Sequence, residues 1–434
     1  MIRPTTLLMV LAIGAFALST IAIALEGLPD DAGLYVFAIL ALIVFADVII
    51  SRARGGWSIA LDGPDEVFVD ERNGFEIGLN RGIPTTGLVA RIAFPEGLEG
   101  PSSVPLGPTG EGAAGHLDVR ARRRGSWDLD HIWLTWVSRL RLVLFCPRLK
   151  IDARINAVPN IRPVQSGKID VAIRSSLMGV KENILKGEGS EFHQLRDYVT
   201  GMDPRTIDWK QSARHRALVA KEMRAERNHH VIVALDNGYL MREEVAGLPK
   251  IDHAVNAGLA LTWAAGLGGD LVGLYAFDAK PSLYLPPEPA RPAFAKLRRR
   301  LAGLEYRSIE TNHTLAMAHL HAQVKRRSLI VVFSDFVDTT TAELLVENIA
   351  VLNRAHVIVF VALRDPEIER IATATPDGLN AVARSVSAGE MLHERREVMR
   401  RLQRIGVLVV DAEPQAITAR LLSTYLTIKS REMI

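Results

Sequence analysis

Three aspartates follow apolar runs in the second half of the chain: Asp236 closes VIVALD, and Asp335 and Asp338 lie in the SDFVD stretch after SLIVVF. Carboxylates at the ends of buried strands can gather around a hard divalent cation, or they can cap the turn or helix that follows. Both readings stand for these residues. Upstream, Arg196, Tyr198, Asp203, Arg205, Asp208, Trp209 and Arg214 alternate charge around two rings. Arginine pairs bidentately with carboxylate while its flat face stacks on an aromatic ring, which suits a clamp between domains or a docking surface for a partner. No G-x-S-x-G, H-E-x-x-H, G-x-x-x-x-G-K-[ST] or C-x-x-C stretch occurs, so no catalytic set is expected. His319 and His321 fall on different helix faces, His229 and His230 precede a strand, and GLGGD reads as a turn after a helix.

The elements that must position these residues follow from hydrophobic patterning. VIVALD, DLVGLYAF, SLIVVFSDF, HVIVFVAL and GVLVVDAEP are continuous apolar runs, as in parallel strands buried on both faces. Helical periodicity lies between them at 251–265, 293–301, 314–324, 341–353 and 388–404, with a last helix from Pro414 towards Lys429. Strands alternating with helices predict a doubly wound α/β domain with a mostly parallel sheet, whose ligands bind at the carboxyl ends of the strands. Asp236, Asp335 and Asp338 belong to that edge.

The first half has a different grammar. TTLLMVLAIGAFALSTIAIAL carries no charge, and a second apolar run from Leu34 to Ile50 follows the short turn EGLPDDAG. Each approaches the ~20 residues that cross a bilayer core, so a retained transmembrane hairpin is expected. Arg3, Arg52 and Arg54 flank the spans while the turn is acidic, which places both ends in the cytoplasm. Asp47 is expected near the interface, within reach of headgroups or Arg52. Between Trp57 and Ile155 short β-branched and aromatic runs separated by turns predict a small β-sandwich, with PEGLEGPSSVPLGPTGEGAAG as a mobile loop. The run Arg120, Arg122, Arg123 and Arg124 reads as a solvated face or a contact with anionic lipid. A chain of 434 residues exceeds one core, and 52 basic against 49 acidic side chains leave a formal charge of only +3, which argues against nucleic acid. The single cysteine, Cys146, cannot form an internal disulfide.

The strand-end carboxylates resemble the metal site of a von Willebrand factor A domain. The resemblance implies Asp236, Thr314 and Asp335 as ligands and Mg²⁺ as the ion, but the first loop reads Asp236-Asn237-Gly238-Tyr239-Leu240 and lacks both expected serines. The site is degenerate on that reading. Gly189, Glu191, Phe192, Leu195, Arg196, Tyr198, Gly201, Asp203, Arg205, Ile207, Asp208, Trp209, Ser212, Ala213 and Arg214 resemble the signature of the bacterial family called domain of unknown function 58. The hairpin and RRGSWDL in the β-domain fit the same layout, whereas Met202 departs from it.

The expected organisation is a transmembrane hairpin over 1–54, a β-sandwich-like domain over 55–158, a signature connector over 159–228 and a von Willebrand factor A-like domain over 229–434. The expected function is a non-enzymatic interaction module at the bacterial inner membrane, with its soluble domains in the cytoplasm. The family resemblance implies a MoxR-type AAA+ ATPase and other membrane or envelope proteins as partners. A metal-dependent hydrolase using Asp236, Asp335 and Asp338 is the alternative.

Overall fold

Strands that alternate apolar with polar residues build the first unit, Met1–Val158, and strands apolar on both faces build the second, Pro159–Ile434. The computed structural model describes residues 2–26, 32–51, 58–80, 87–110, 112–162, 191–224, 228–336, 339–375 and 377–434. Asp338 and Gly189 lie outside the described residues.

In the first unit, Phe75, Ile77 and Leu79 of Arg72–Asn80 are buried while Glu76 and Asn80 face out, the period of two that a half-buried strand requires. A five-stranded sheet runs Ser58–Asp62, Arg72–Asn80, Gly112–Ala121, Leu98–Glu99, with Gly107–Pro108 alongside. A seven-stranded sheet is built on the antiparallel pair Gly125–Val137 and Arg148–Val158. The Gly/Pro-rich stretch expected to be a mobile loop instead supplies Leu98–Glu99, Ser103–Pro105 and Gly107–Pro108. Proline lacks only the donor, so pieces two or three residues long at sheet margins tolerate it. The arginine run is tied to carboxylates: Arg120 to Asp70, Arg122 to Glu99 at 2.6 Å and Arg123 to Glu96 at 2.8 Å.

Two apolar helices, Thr6–Glu26 and Ala32–Ser51, precede these sheets. Gly33–Ser51 is long and apolar enough to cross a membrane, and Thr6–Ile21 is a shorter apolar helix. Asp47 does not reach for solvent. Its Oδ1 accepts from Ser51 Oγ at 3.2 Å and from the Leu140 N–H at 3.1 Å, because the turn after Val137 folds onto the end of this helix.

In the second unit, β1 (His230–Asp236), β2 (Leu271–Phe277), β3 (Pro281–Pro289), β4 (Ser328–Phe333), β5 (Val357–Leu363) and β6 (Leu408–Ala412) form one six-stranded sheet ordered β3-β2-β1-β4-β5-β6. All neighbours are parallel except β3, which returns antiparallel on β2. Its segment PSLYLPPEP was not recognisable as a strand, since prolines confine it to an edge. Around the sheet lie α1 (Lys250–Leu267), α2 (Ala290–Ala302), α3 (His313–Gln323), α4 (Thr339–Asn353), α5 (Pro366–Thr373), α6 (Leu379–Arg404) and α7 (Pro414–Ser430). One face packs Ile232, Ile330, Val332 and Phe360 against Met317, Leu320, Leu345 and Leu402 of α3, α4 and α6. On the other, α1 approaches so closely that a Cβ on Gly258 would stand 3.0 Å from Val233 Cγ1. Helix α6 begins nine residues before its expected start; its first half packs on α5, so no core-facing stripe marks it.

Candidate functional site

Strand order reverses between β1 and β4, and the carboxyl ends at such a switch point are where open α/β sheets bind ligands. Asp236 ends β1 there, and Ser334 and Asp335 follow β4. Both carboxylates are buried, at 2% and 4% exposure, so each must be satisfied internally. Asp236 Oδ1 accepts from the Gly238 N–H at 2.9 Å and from Thr311 Oγ1 at 2.6 Å. Its Oδ2 accepts from Ser334 Oγ at 2.6 Å, and His313 Nε2 lies 3.3 Å from that oxygen and 3.0 Å from Ser334 Oγ.

Asp335 is held by cations. Lys250 Nζ donates to its Oδ2 at 2.7 Å, while Arg395 Nη1 and the Phe336 N–H each donate to Oδ1 at 3.0 Å. Lys250 also reaches Glu243 Oε2 at 2.6 Å, and Arg395 Nη2 reaches the Leu363 carbonyl at 2.8 Å and Asp411 Oδ1 at 3.1 Å. Burial works against the charge on Lys250, but the Asp335 carboxylate, its hydrogen bond and Glu243 outweigh burial and raise the ammonium above its ordinary value. Arg395 is raised the same way, with Asp335 and Asp411 overcoming burial. The lysine stays charged in place.

This donor set does not fit Mg²⁺. Magnesium requires near-octahedral oxygen ligands at roughly 2.0–2.1 Å, whereas here an ammonium sits on Asp335 Oδ2 and both Asp236 oxygens already accept side-chain or backbone donors. Thr314, the ligand implied by resemblance, is exposed and accepts from Asn348 Nδ2 at 3.0 Å. Asn312 caps α3 through the Leu315 N–H, which turns Thr314 onto the helix's outer face and leaves Thr311, before the cap, to reach Asp236. Among the described residues, no group of three or more His, Cys, Asp or Glu is placed to hold a metal ion.

Gly238 allows this arrangement, because a Cβ at that position would stand 1.9 Å from Thr311 Oγ1. Writing back the missing hydroxyl as Gly238→Ser should therefore break the Thr311 to Asp236 bond and destabilise by about 1–3 kcal/mol, as overpacking does. Thermal denaturation with and without Mg²⁺ tests this: stabilisation of the variant by the metal would contradict it.

The upstream cluster folds on itself. Glu191–Asp197 pairs antiparallel with Val219–Arg224, and Trp209–His215 forms a short helix between them. Both acids serve as caps instead of pairing with arginine: Asp203 accepts from the Arg205 N–H, and Asp208 accepts from the Lys210 and Gln211 N–H groups while meeting Lys221 Nζ at 3.2 Å. These backbone donors, with Lys221, pull Asp208 below the ordinary carboxylate range even as burial opposes them. Tyr198 donates to the Met202 carbonyl. Arg196, Arg205 and Arg214 face solvent, and Trp209 is 69% exposed.

Sequence reasoning missed Lys250, Thr311, His313, Ser334 and Arg395. Ser334 carried a signal, adjoining Asp335 in VVFSDF, but Lys250 opens an otherwise ordinary helix and Arg395 lies in HERREVMRR, which reads as a solvated face.

A family model described as "Protein of unknown function DUF58" matches residues 194–402, from within the antiparallel pair of Glu191–Asp197 with Val219–Arg224 to the last turn of α6. Uncharacterized proteins of Mycobacterium tuberculosis and Mycobacterium bovis are 26% identical over 174 residues, covering 39% of this chain and 55% of theirs. The chain thus spans about half the length of the curated relatives it matches. Among solved structures, the conserved hypothetical protein BatB from Bacteroides thetaiotaomicron aligns at 13% identity and a TM-score of 0.30, covering 46% of this chain and 99% of that one. An uncharacterized membrane spanning protein from Vibrio fischeri aligns at 14% identity and a TM-score of 0.18, covering 48% and 98%.

Proposed function

We propose, from the premise of a DUF58 region over residues 194–402, that this chain is a membrane-anchored protein-interaction module that docks a partner without a divalent metal. The observation that carries the reading is the outward face of the capped hairpin. Trp209, Val199 and Leu218 are exposed there beside Arg205, Lys210, Arg214 and Arg216, while the nearby acids Asp203 and Asp208 are engaged as caps. Exposed tryptophan and arginine are the residue types on which interface energy concentrates. A β3-β2-β1-β4-β5-β6 sheet with an antiparallel edge strand supports a von Willebrand factor A-like domain as the scaffold. Lys250 and Arg395 supply the positive charge at its carboxyl edge that a metal would otherwise bring.

The partner this reading favours is a MoxR-type AAA+ ATPase, as the family resemblance implies, acting with the chain in assembly or maturation of other proteins or of the envelope. On this reading Gly33–Ser51, long and apolar enough to cross a membrane, anchors the module, and the excess of arginine flanking the apolar runs supports soluble domains on the cytoplasmic side of a bacterial inner membrane. Affinity purification of the full chain from native membranes, with and without EDTA, tests the proposal. The ATPase should be recovered equally under both conditions and lost with Trp209→Ala combined with Arg205→Glu, while thermal stability is unchanged. Recovery by that variant, or dependence on Mg²⁺ in the absence of nucleotide, would refute it.

A further inference from the structure

We propose that the turn Ser138–Leu142 is an anionic-lipid headgroup contact that seats the β-rich domain on the bilayer beside its own membrane helix. The turn is fixed to both apolar helices where they leave the β-domain. Ile2–Pro4 pairs antiparallel with Val143–Phe145, the Thr5 N–H donates to the Leu142 carbonyl at 3.0 Å, and Thr5 Oγ1 donates to the Arg141 carbonyl at 2.7 Å. The helix Thr6–Glu26 thus starts against the turn. The end of Ala32–Ser51 is bound to it as well: Asp47 Oδ1 accepts from the Leu140 N–H, Ser51 Oγ accepts from the Arg139 N–H at 2.9 Å, and the Ser51 carbonyl accepts from Trp136 Nε1 at 3.4 Å. Asp47 is 2% exposed, so this junction is closed to water. If Ser51 marks the exit of a membrane span, the turn lies at the same depth.

What the turn shows outward fits that depth. Leu140 is 54% exposed, with Val137 and Ile2 also exposed, and Arg3, Arg139 and Arg141, adjacent to them in sequence, are exposed as well. Among the described residues, none of these three arginines makes an ion pair, in contrast to Arg120, Arg122 and Arg123 on the same domain. Exposed apolar residues interspersed with exposed arginines match the boundary between acyl chains and phosphates, where guanidinium pairs bidentately with phosphate oxygens. The turn is also rigid: Arg141 takes a left-handed φ of 58°, held by its N–H to the Ser138 carbonyl and by Ser138 Oγ accepting from the Val143 N–H. Continuity with the apolar helices favours lipid over a protein occupant.

The inference rests on Gly33–Ser51 spanning the membrane, and the test separates the two claims. The full chain carrying Cys146→Ser is given a single cysteine as Leu140→Cys or, separately, Ile43→Cys, labelled with an environment-sensitive fluorophore and reconstituted into phosphatidylcholine bilayers with or without phosphatidylglycerol. The Leu140 probe should shift to the blue and be quenched by lipids spin-labelled near the headgroup. Arg139→Glu with Arg141→Glu should remove most of that quenching, and phosphatidylglycerol should strengthen it. A water-like Leu140 probe beside an Ile43 probe quenched by deep spin labels overturns the headgroup contact while leaving the anchor intact. An Ile43 probe unquenched at any depth overturns the anchor itself. A blue-shifted Leu140 probe that no lipid label quenches assigns the turn to a protein surface and overturns the proposal.

Discussion

Asp335→Ala should remove about 3–5 kcal/mol of stability, because breaking a buried ion pair from one side leaves its partners charged and unpaired. Two cations depend on this carboxylate, Lys250 at 2.7 Å and Arg395 at 3.0 Å, and their side chains are 9% and 17% exposed. Arg395 keeps Asp411 and the Leu363 carbonyl, and Lys250 keeps the half-exposed Glu243, so the loss should stay within that range. A metal site predicts the opposite sign. Vacant ligand carboxylates repel one another, and truncating one relieves the apo protein. The double variant Lys250→Met with Asp335→Leu removes charge from both sides, and should recover much of the single-variant loss. Denaturant unfolding of the detergent-purified full chain gives both values. A loss below about 1 kcal/mol, or single-variant effects that simply add, would sink the account of Lys250 as resident cation.

The scaffold was legible because it rests on period and continuity. VIVALD, SLIVVF and HVIVFVAL carry a polar residue only at one end, Asp236, Ser328 and His356, so their unbroken apolar stretches had to be interior strands, and the helices between them had to cover both faces. Edge strand β3 was illegible for the complementary reason, since its prolines satisfy only the one-sided pairing of an edge. At the site, the positions Asp236 and Asp335 could be read but not their partners. Which cation meets a strand-end carboxylate depends on where α1 and α6 dock, and Lys250 and Arg395 are 85 and 60 residues from Asp335 in sequence. The misplacement of Thr314 has a narrower cause. The choice between Thr311 and Thr314 turns on which residue caps α3, and in TNHT both Thr311 and Asn312 are capping types.

Asp270→Ala should lower stability by a similar amount, about 3–5 kcal/mol, from the opposite edge of the same sheet. Asp270 precedes β2 and is 1% exposed. Its Oδ1 accepts from Lys429 Nζ at 2.8 Å and from the His229 N–H at 3.2 Å, and its Oδ2 accepts from the Tyr425 hydroxyl. Burial first, and then the Asp270 charge, push the Tyr425 hydroxyl well above its ordinary value, so it remains a donor at any physiological pH. Lys429 also caps the Gly268 carbonyl at 2.9 Å, so one carboxylate fastens the end of α7 to the turn between α1 and β2. Without it, a buried ammonium loses its counter-charge and a buried hydroxyl its acceptor together, and α7 should be the first helix to exchange its amide protons. Ligands of open α/β sheets bind at the carboxyl edge, so an amino-edge lesion should act on stability alone. Asp270→Ala should therefore retain wild-type recovery of the partner per folded molecule, whereas Trp209→Ala with Arg205→Glu should retain stability and lose the partner. Hydrogen exchange together with quantitative pull-down reads both quantities. If Asp270→Ala lost the partner while still folded, docking would depend on the sheet as a whole, and the exposed hairpin would no longer suffice to explain it.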